Sequence, residues 1–127
     1  MRPTVLVVDD DDDIRELTRV ALELVADWGV LTAAGGAEAL ELAARHRPDA
    51  VLLDLMMPGM DGLTTFRHLR ADPATGDIPV ILVTAKARVG ERQAWDELEI
   101  AGVISKPFDP IALAADVSAL LGWPAPG

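Results

Sequence analysis

The sequence predicts an α/β domain: a parallel β-sheet covered on both faces by helices. Three observations point there. Short continuous apolar runs recur along the chain, as in strands buried on both faces. Between them lie segments whose apolar residues fall at three-four spacing, the mark of helices with one buried stripe. Turn residues separate the two kinds of segment, and parallel strands so connected take right-handed crossovers.

Val5-Leu6-Val7-Val8 is the first strand, and a helix follows with Ile14, Leu17, Val20, Ala21, Leu24 and Val25 as its expected buried stripe. Asp11, Asp12 and Asp13 sit at its start, where carboxylates cap free N–H groups and suit the positive dipole end. Gly29 is expected to close it before a strand over Val30–Ala33. Ala37 to His46 reads as a helix with Ala37, Leu40 and Ala44 on one side, stopping before Pro48. Ala50–Leu53 is the clearest strand and ends in Asp54; the turn-rich Met56–Gly62 follows, then a helix from Leu63 to Ala71. Val80–Val83 is the fourth strand, ending at Thr84, and Val89–Leu98 a less amphipathic helix. Gly102–Ser105 is a short fifth strand ending at Lys106-Pro107. A last helix spans Pro110–Leu121, with Ile111, Leu113, Ala114, Val117, Leu120 and Leu121 as its apolar face.

With 127 residues, half of them hydrophobic and a quarter charged, the chain has the proportions of one globular domain. The net charge of −10 argues against non-specific binding to nucleic acid or an anionic membrane. No cysteine is present, which excludes a disulfide framework, a thiolate nucleophile and a sulfur-ligated zinc site. No apolar run approaches a membrane span or a signal h-region, so no membrane insertion is expected and the cytoplasm is the default location.

In an open parallel sheet, ligands bind at the carboxyl ends of the strands. The residues just past those ends are Asp9 and Asp10, Asp54, Thr84, and Lys106. Each alone has an ordinary explanation: an acidic turn, a cap, a β-former, a surface lysine. The run Asp9–Asp13 fails as an EF-hand loop, with Ile14 where Gly is needed and Val20 where Glu is needed. Together, three carboxylates repel unless a cation compensates, and a hard oxygen-ligated ion such as Mg²⁺ suits them. With Lys106, such a pocket attracts a phosphoryl group, and a carboxylate aimed into it can form an acyl phosphate.

The segments Val-Leu-Val-Val-Asp9-Asp10, Leu-Leu-Asp54-Leu-Met-Met-Pro58-Gly-Met-Asp61-Gly62, Val-Thr84-Ala85-Lys and Ser-Lys106-Pro107-Phe108 resemble the receiver domain of two-component response regulators, of the single-domain, chemotaxis-regulator-like kind. The resemblance runs from Val5 to Leu121. It implies a flavodoxin-like (βα)5 three-layer sandwich with strand order 2-1-3-4-5. It also implies a phosphoacceptor role for Asp54, Mg²⁺ held directly by Asp10 and largely through water by Asp9, and Asp54 and the Met56 carbonyl as further ligands. Thr84 and Lys106 then bind phosphoryl oxygens, and the Lys106–Pro107 peptide is expected to be cis. The implied partners are a sensor histidine kinase or histidine phosphotransfer protein and a downstream protein target, met through segments 89–98 and 110–121 and the strand between them.

Two positions depart from the family's pattern. Val103 stands where an aromatic residue is usual, and Glu99-Ile100 replaces the usual Gly-Ala. Val103 is therefore expected to keep one rotamer, with activation shifting the Thr84–Val89 loop and the segment carrying Trp95. Haloacid-dehalogenase-type phosphatases are disfavoured because their second Asp is replaced by Met56, and a flavin module because no phosphate loop follows the first strand. The chain is thus expected to be no enzyme beyond catalysing its own phosphorylation and dephosphorylation. The reading is a stand-alone receiver over residues 1–122 with a short tail, 123–127; the alternative is a receiver-like docking module not regulated by phosphorylation.

Overall fold

The computed structural model describes residues 2–85 and 98–126. Strands β1 (Thr4–Val8), β2 (Gly29–Ala33), β3 (Ala50–Asp54), β4 (Val80–Thr84) and β5 (Gly102–Ser105) form one parallel sheet ordered β2-β1-β3-β4-β5. Helices α1 (Asp12–Ala26), α2 (Gly36–His46), α3 (Gly62–Ala71) and α4 (Leu113–Leu121) cover it. The helix expected over Val89–Leu98 lies outside the described residues except at Leu98, as do Lys86, Arg88 and Trp95.

Alternate strand residues feed two cores. Leu6, Val8, Val51, Leu53, Val80 and Leu82 join Ala39 and Ala43 of α2 and Phe66 and Leu69 of α3 on one face. Val5, Val7, Leu52, Ile81 and Val83 meet Leu22 of α1 and Leu113, Ala114 and Val117 of α4 on the other. Val103 packs half-buried against the first cluster. At the amino-terminal edge of the sheet, Trp28 meets Trp123 edge-on, 5.3 Å between ring centroids, so the chain beyond α4 returns to the body of the domain.

Four local expectations need correction. α1 ends before Gly29 is reached: Asp27 takes the left-handed conformation (φ 58°) and its N–H closes on Glu23 and Leu22, while Gly29 opens β2. Asp is among the few non-glycine residues that accept this geometry readily. The buried stripe of α1 is Thr18, Ala21 and Leu22, whereas Leu17, Leu24 and Val25 face solvent. Thr18 can be buried because its hydroxyl donates to the Ile14 carbonyl at 2.7 Å. In α2 the buried residues are Gly36, Ala39 and Ala43, and the expected Ala37 and Ala44 are exposed. Finally, Asp109 holds Ile111 and Ala112 in a turn, through its Oδ1 (2.9 Å) and its carbonyl (3.1 Å), so α4 starts at Leu113 and Ile111 is 76% exposed.

Candidate functional site

Parallel pairing aligns the strand ends, and the alignment puts the chemistry on one edge. β1 stops at Val8, which delivers Asp9 and Asp10; β3 ends on Asp54, β4 on Thr84, and Lys106 follows β5. Oxygens of Asp9, Asp10 and Asp54 all lie within 4.8 Å of one another. Asp9 and Asp54 are each 4% exposed, while Asp10 is on the surface. The Lys106 ammonium reaches between the two buried carboxylates, 2.8 Å from Asp9 Oδ2 and 3.4 Å from Asp54 Oδ1. The Lys106–Pro107 peptide is cis, as expected. Thr84 is buried at its strand end, and its carbonyl accepts the Lys106 N–H at 3.0 Å.

The loop after β3 is seated on backbone. Met56 N–H donates to Asp54 Oδ1 at 3.2 Å, while the Met56 side chain is exposed. Gly62 N–H donates to the Leu55 carbonyl at 3.0 Å. A Cβ at Gly62 would stand 2.5 Å from the Asp54 carbonyl oxygen and 2.7 Å from Leu55 Cα, so α3 can start this close to the site only on glycine. Asp61 caps that helix through Thr64 N–H at 2.8 Å.

The five consecutive aspartates divide into separate tasks. Asp9 Oδ1 accepts the Asp11 N–H at 2.9 Å, and Oδ2 takes Lys106. Asp11 is the N-cap of α1, accepting from Asp13 and Ile14 N–H, and Asp12 pairs with Arg15. Arg15 also donates to the Asp9 carbonyl at 2.8 Å, a contact that periodicity and strand ends could not reveal.

The electrostatics are those of a site short of positive charge. Burial, and then repulsion from Asp9, push Asp54 up to about 6, against the opposing pull of Lys106 and the Met56 N–H. Burial alone would depress Lys106, but its hydrogen bond to Asp9 and the charges of Asp9 and Asp54 hold it above its ordinary value.

Comparison with known proteins agrees with this geometry. The profile of the response regulator receiver domain matches residues 5–118. The chain is 39% identical over 124 residues to the phosphate regulon transcriptional regulatory protein PhoB of Pseudomonas aeruginosa, covering 98% of this chain and 54% of that protein. It is 43% identical over 122 residues to response regulator PleD of Caulobacter vibrioides, covering 94% and 26%. The chain therefore spans about half or less of these relatives. Among solved structures, chemotaxis protein CheY4 of Vibrio cholerae superposes with a TM-score of 0.86 at 29% identity, covering 94% of this chain and 99% of that one. A putative response regulator from Chloroflexus aurantiacus gives 0.85 at 34% identity, covering 96% and 99%.

The chain belongs to the receiver domain family of two-component response regulators. Members of that family are phosphoacceptors rather than classical enzymes, bind Mg²⁺ at an acidic aspartate cluster, and act between sensor kinases and downstream targets. Among the described residues, no helix is long and apolar enough to cross a membrane.

Proposed function

We propose that this chain is a cytoplasmic receiver that takes a phosphoryl group from a phosphohistidine donor onto Asp54 and thereby switches a protein-binding surface. The observation that carries this reading is the Lys106 ammonium held between Asp9 and Asp54, with Asp10 beside them, at the carboxyl edge of the sheet. An Asp54 oxygen attacks phosphorus as the phosphorus–nitrogen bond breaks. The imidazole nitrogen keeps the electron pair and takes up a proton, and an acyl phosphate remains on Asp54. Lys106 and the Thr84 hydroxyl bind phosphoryl oxygens. The same groups later serve hydrolysis by water, so the chain acts catalytically only on itself.

The donor set fits a hard divalent cation. Three carboxylates converge within 4.8 Å, and one of them is held above the ordinary carboxylate range by burial and its neighbour. Asp9, Asp10 and Asp54, with the Met56 carbonyl, hold Mg²⁺, which when bound neutralises charge on the phosphoryl oxygens. The receiver is assigned to residues 1–122, with 123–127 as a tail. Its donor is a sensor histidine kinase or histidine phosphotransfer protein, and its target a protein met on β5, α4 and segment 89–98.

Acetyl phosphate with Mg²⁺ tests the reading. Intact-mass measurement should find one added phosphoryl group on the wild type and none on Asp54→Asn. Equal gain by the variant removes Asp54 as acceptor, and no gain by either chain leaves the unregulated docking module.

A further inference from the structure

Arg15 lies on the first turn of α1, and its side chain is only 20% exposed although its ion-pair partner Asp12 is 85% exposed. One arm of the guanidinium pairs with Asp12; the other turns back to the end of β1 and donates to the Asp9 carbonyl at 2.8 Å. That carbonyl begins the Asp9–Asp10 peptide, on whose orientation the positions of both carboxylates depend. The planar, rigid fork of arginine ties this peptide to the helix through one hydrogen bond, while Asp12 holds its other arm in place. On the other side, the Asp9 carboxylate is fixed by the Asp11 N–H and Lys106.

We propose that Arg15 is a positioning residue for the cation site: it clamps the Asp9–Asp10 peptide so that both carboxylates face Asp54, and it occupies Asp12 so that this neighbour does not draw the ion outward. The proposal rests on the Mg²⁺ reading given above. Its two physical consequences have opposite sign, which makes it decidable. A nearby positive charge repels a cation, so an Arg15 that acted only as a charge would weaken Mg²⁺ binding, and its removal would tighten it. A clamp strengthens binding, and its removal weakens it. Groups that orient metal ligands commonly contribute tenfold or more to affinity.

The test is titration calorimetry of the full chain with MgCl₂ for the wild type, Arg15→Met, Arg15→Lys, Asp12→Ala and Asp10→Ala, with amide exchange of Asp11 followed by NMR in metal-free protein. Arg15→Met should weaken Mg²⁺ by about tenfold and speed exchange of the Asp11 amide. Arg15→Lys, which keeps one donor in reach of the Asp9 carbonyl, should recover most of both. Asp12→Ala, which leaves that bond in place, should stay within about threefold of the wild type. Unchanged or tighter binding by Arg15→Met overturns the proposal, as does a loss in Arg15→Lys equal to that in Arg15→Met. If Arg15→Met does not fold, the lysine variant and the Asp11 amide carry the decision. Failure of the Mg²⁺ reading itself looks different: Asp10→Ala would then bind as the wild type does, or neither would bind.

Discussion

Asp54 sits where burial and Asp9 oppose its charge and Lys106 favours it, and the balance leaves it at about 6. The charged form is the disfavoured one in the fold. Its cost is therefore full above about pH 6 and fades as pH falls toward the unfolded value of about 3.9. Asp54→Asn should stabilise the metal-free protein at neutral pH by about 1–2 kcal/mol, with the gain shrinking toward about pH 4, as urea titrations at the two pH values would show. Stabilisation surviving at the lower pH would place its source elsewhere. Lys106→Ala should keep Mg²⁺ affinity at or above the parent value, because it frees oxygens of Asp9 and Asp54 and removes a positive charge. The same variant should respond poorly to beryllofluoride, an acyl-phosphate mimic; calorimetric loss of Mg²⁺ binding would make Lys106 a structural residue instead. Asp9, Asp54, Thr84 and Lys106 were legible because strand ends can be read from apolar runs. Arg15 was not, because its partner is a backbone carbonyl six residues away and leaves no spacing signal.

At the scale of elements, what periodicity conveys is existence and order, while phase depends on packing. α2 buries Gly36, Ala39 and Ala43 because its start lies against Thr65 and Met60, where a Cβ on Gly36 would meet Thr65 Oγ1 at 2.4 Å. A face of small residues carries little hydrophobic signal, so Ala37 and Ala44 looked equally suited. In α1 a buried threonine hid the true stripe behind Leu17 and Leu24. Of the aspartates at the start of α1 the expected cap is Asp12, but the structure gives that role to Asp11, whose replacement by Ala should cost about 1 kcal/mol in denaturant unfolding. The α3 start makes the sharper prediction. Gly62→Ala forces apart α3 and the Asp54–Leu55 backbone, because the atoms it meets are main chain and cannot turn aside. A loss of about 2–3 kcal/mol is expected, together with slower phosphorylation from acetyl phosphate. A Gly62→Ala variant as stable and as reactive as the parent would show that the loop has room to move.

Over the whole molecule, the strand order β2-β1-β3-β4-β5 places the ends of β1, β3, β4 and β5 side by side. That order came from the family likeness, since apolar runs establish that strands are parallel and buried but not which lie adjacent. The two cores follow from strict alternation along those strands, and among the described residues α2 and α3 pack on one face and α1 and α4 on the other. Val103 packs half-buried into one core; the loop after Thr84, expected to move on activation, continues beyond the described residues after Ala85. The acyl phosphate proposed on Asp54 follows from this arrangement of strand ends. Its most direct test is to treat the phosphorylated chain with borohydride, which reduces an acyl phosphate to an alcohol, and to sequence the peptides by mass spectrometry. Homoserine at position 54, dependent on both donor and Mg²⁺, is the predicted result; homoserine at Asp9 or Asp10 with Asp54 intact would contradict it.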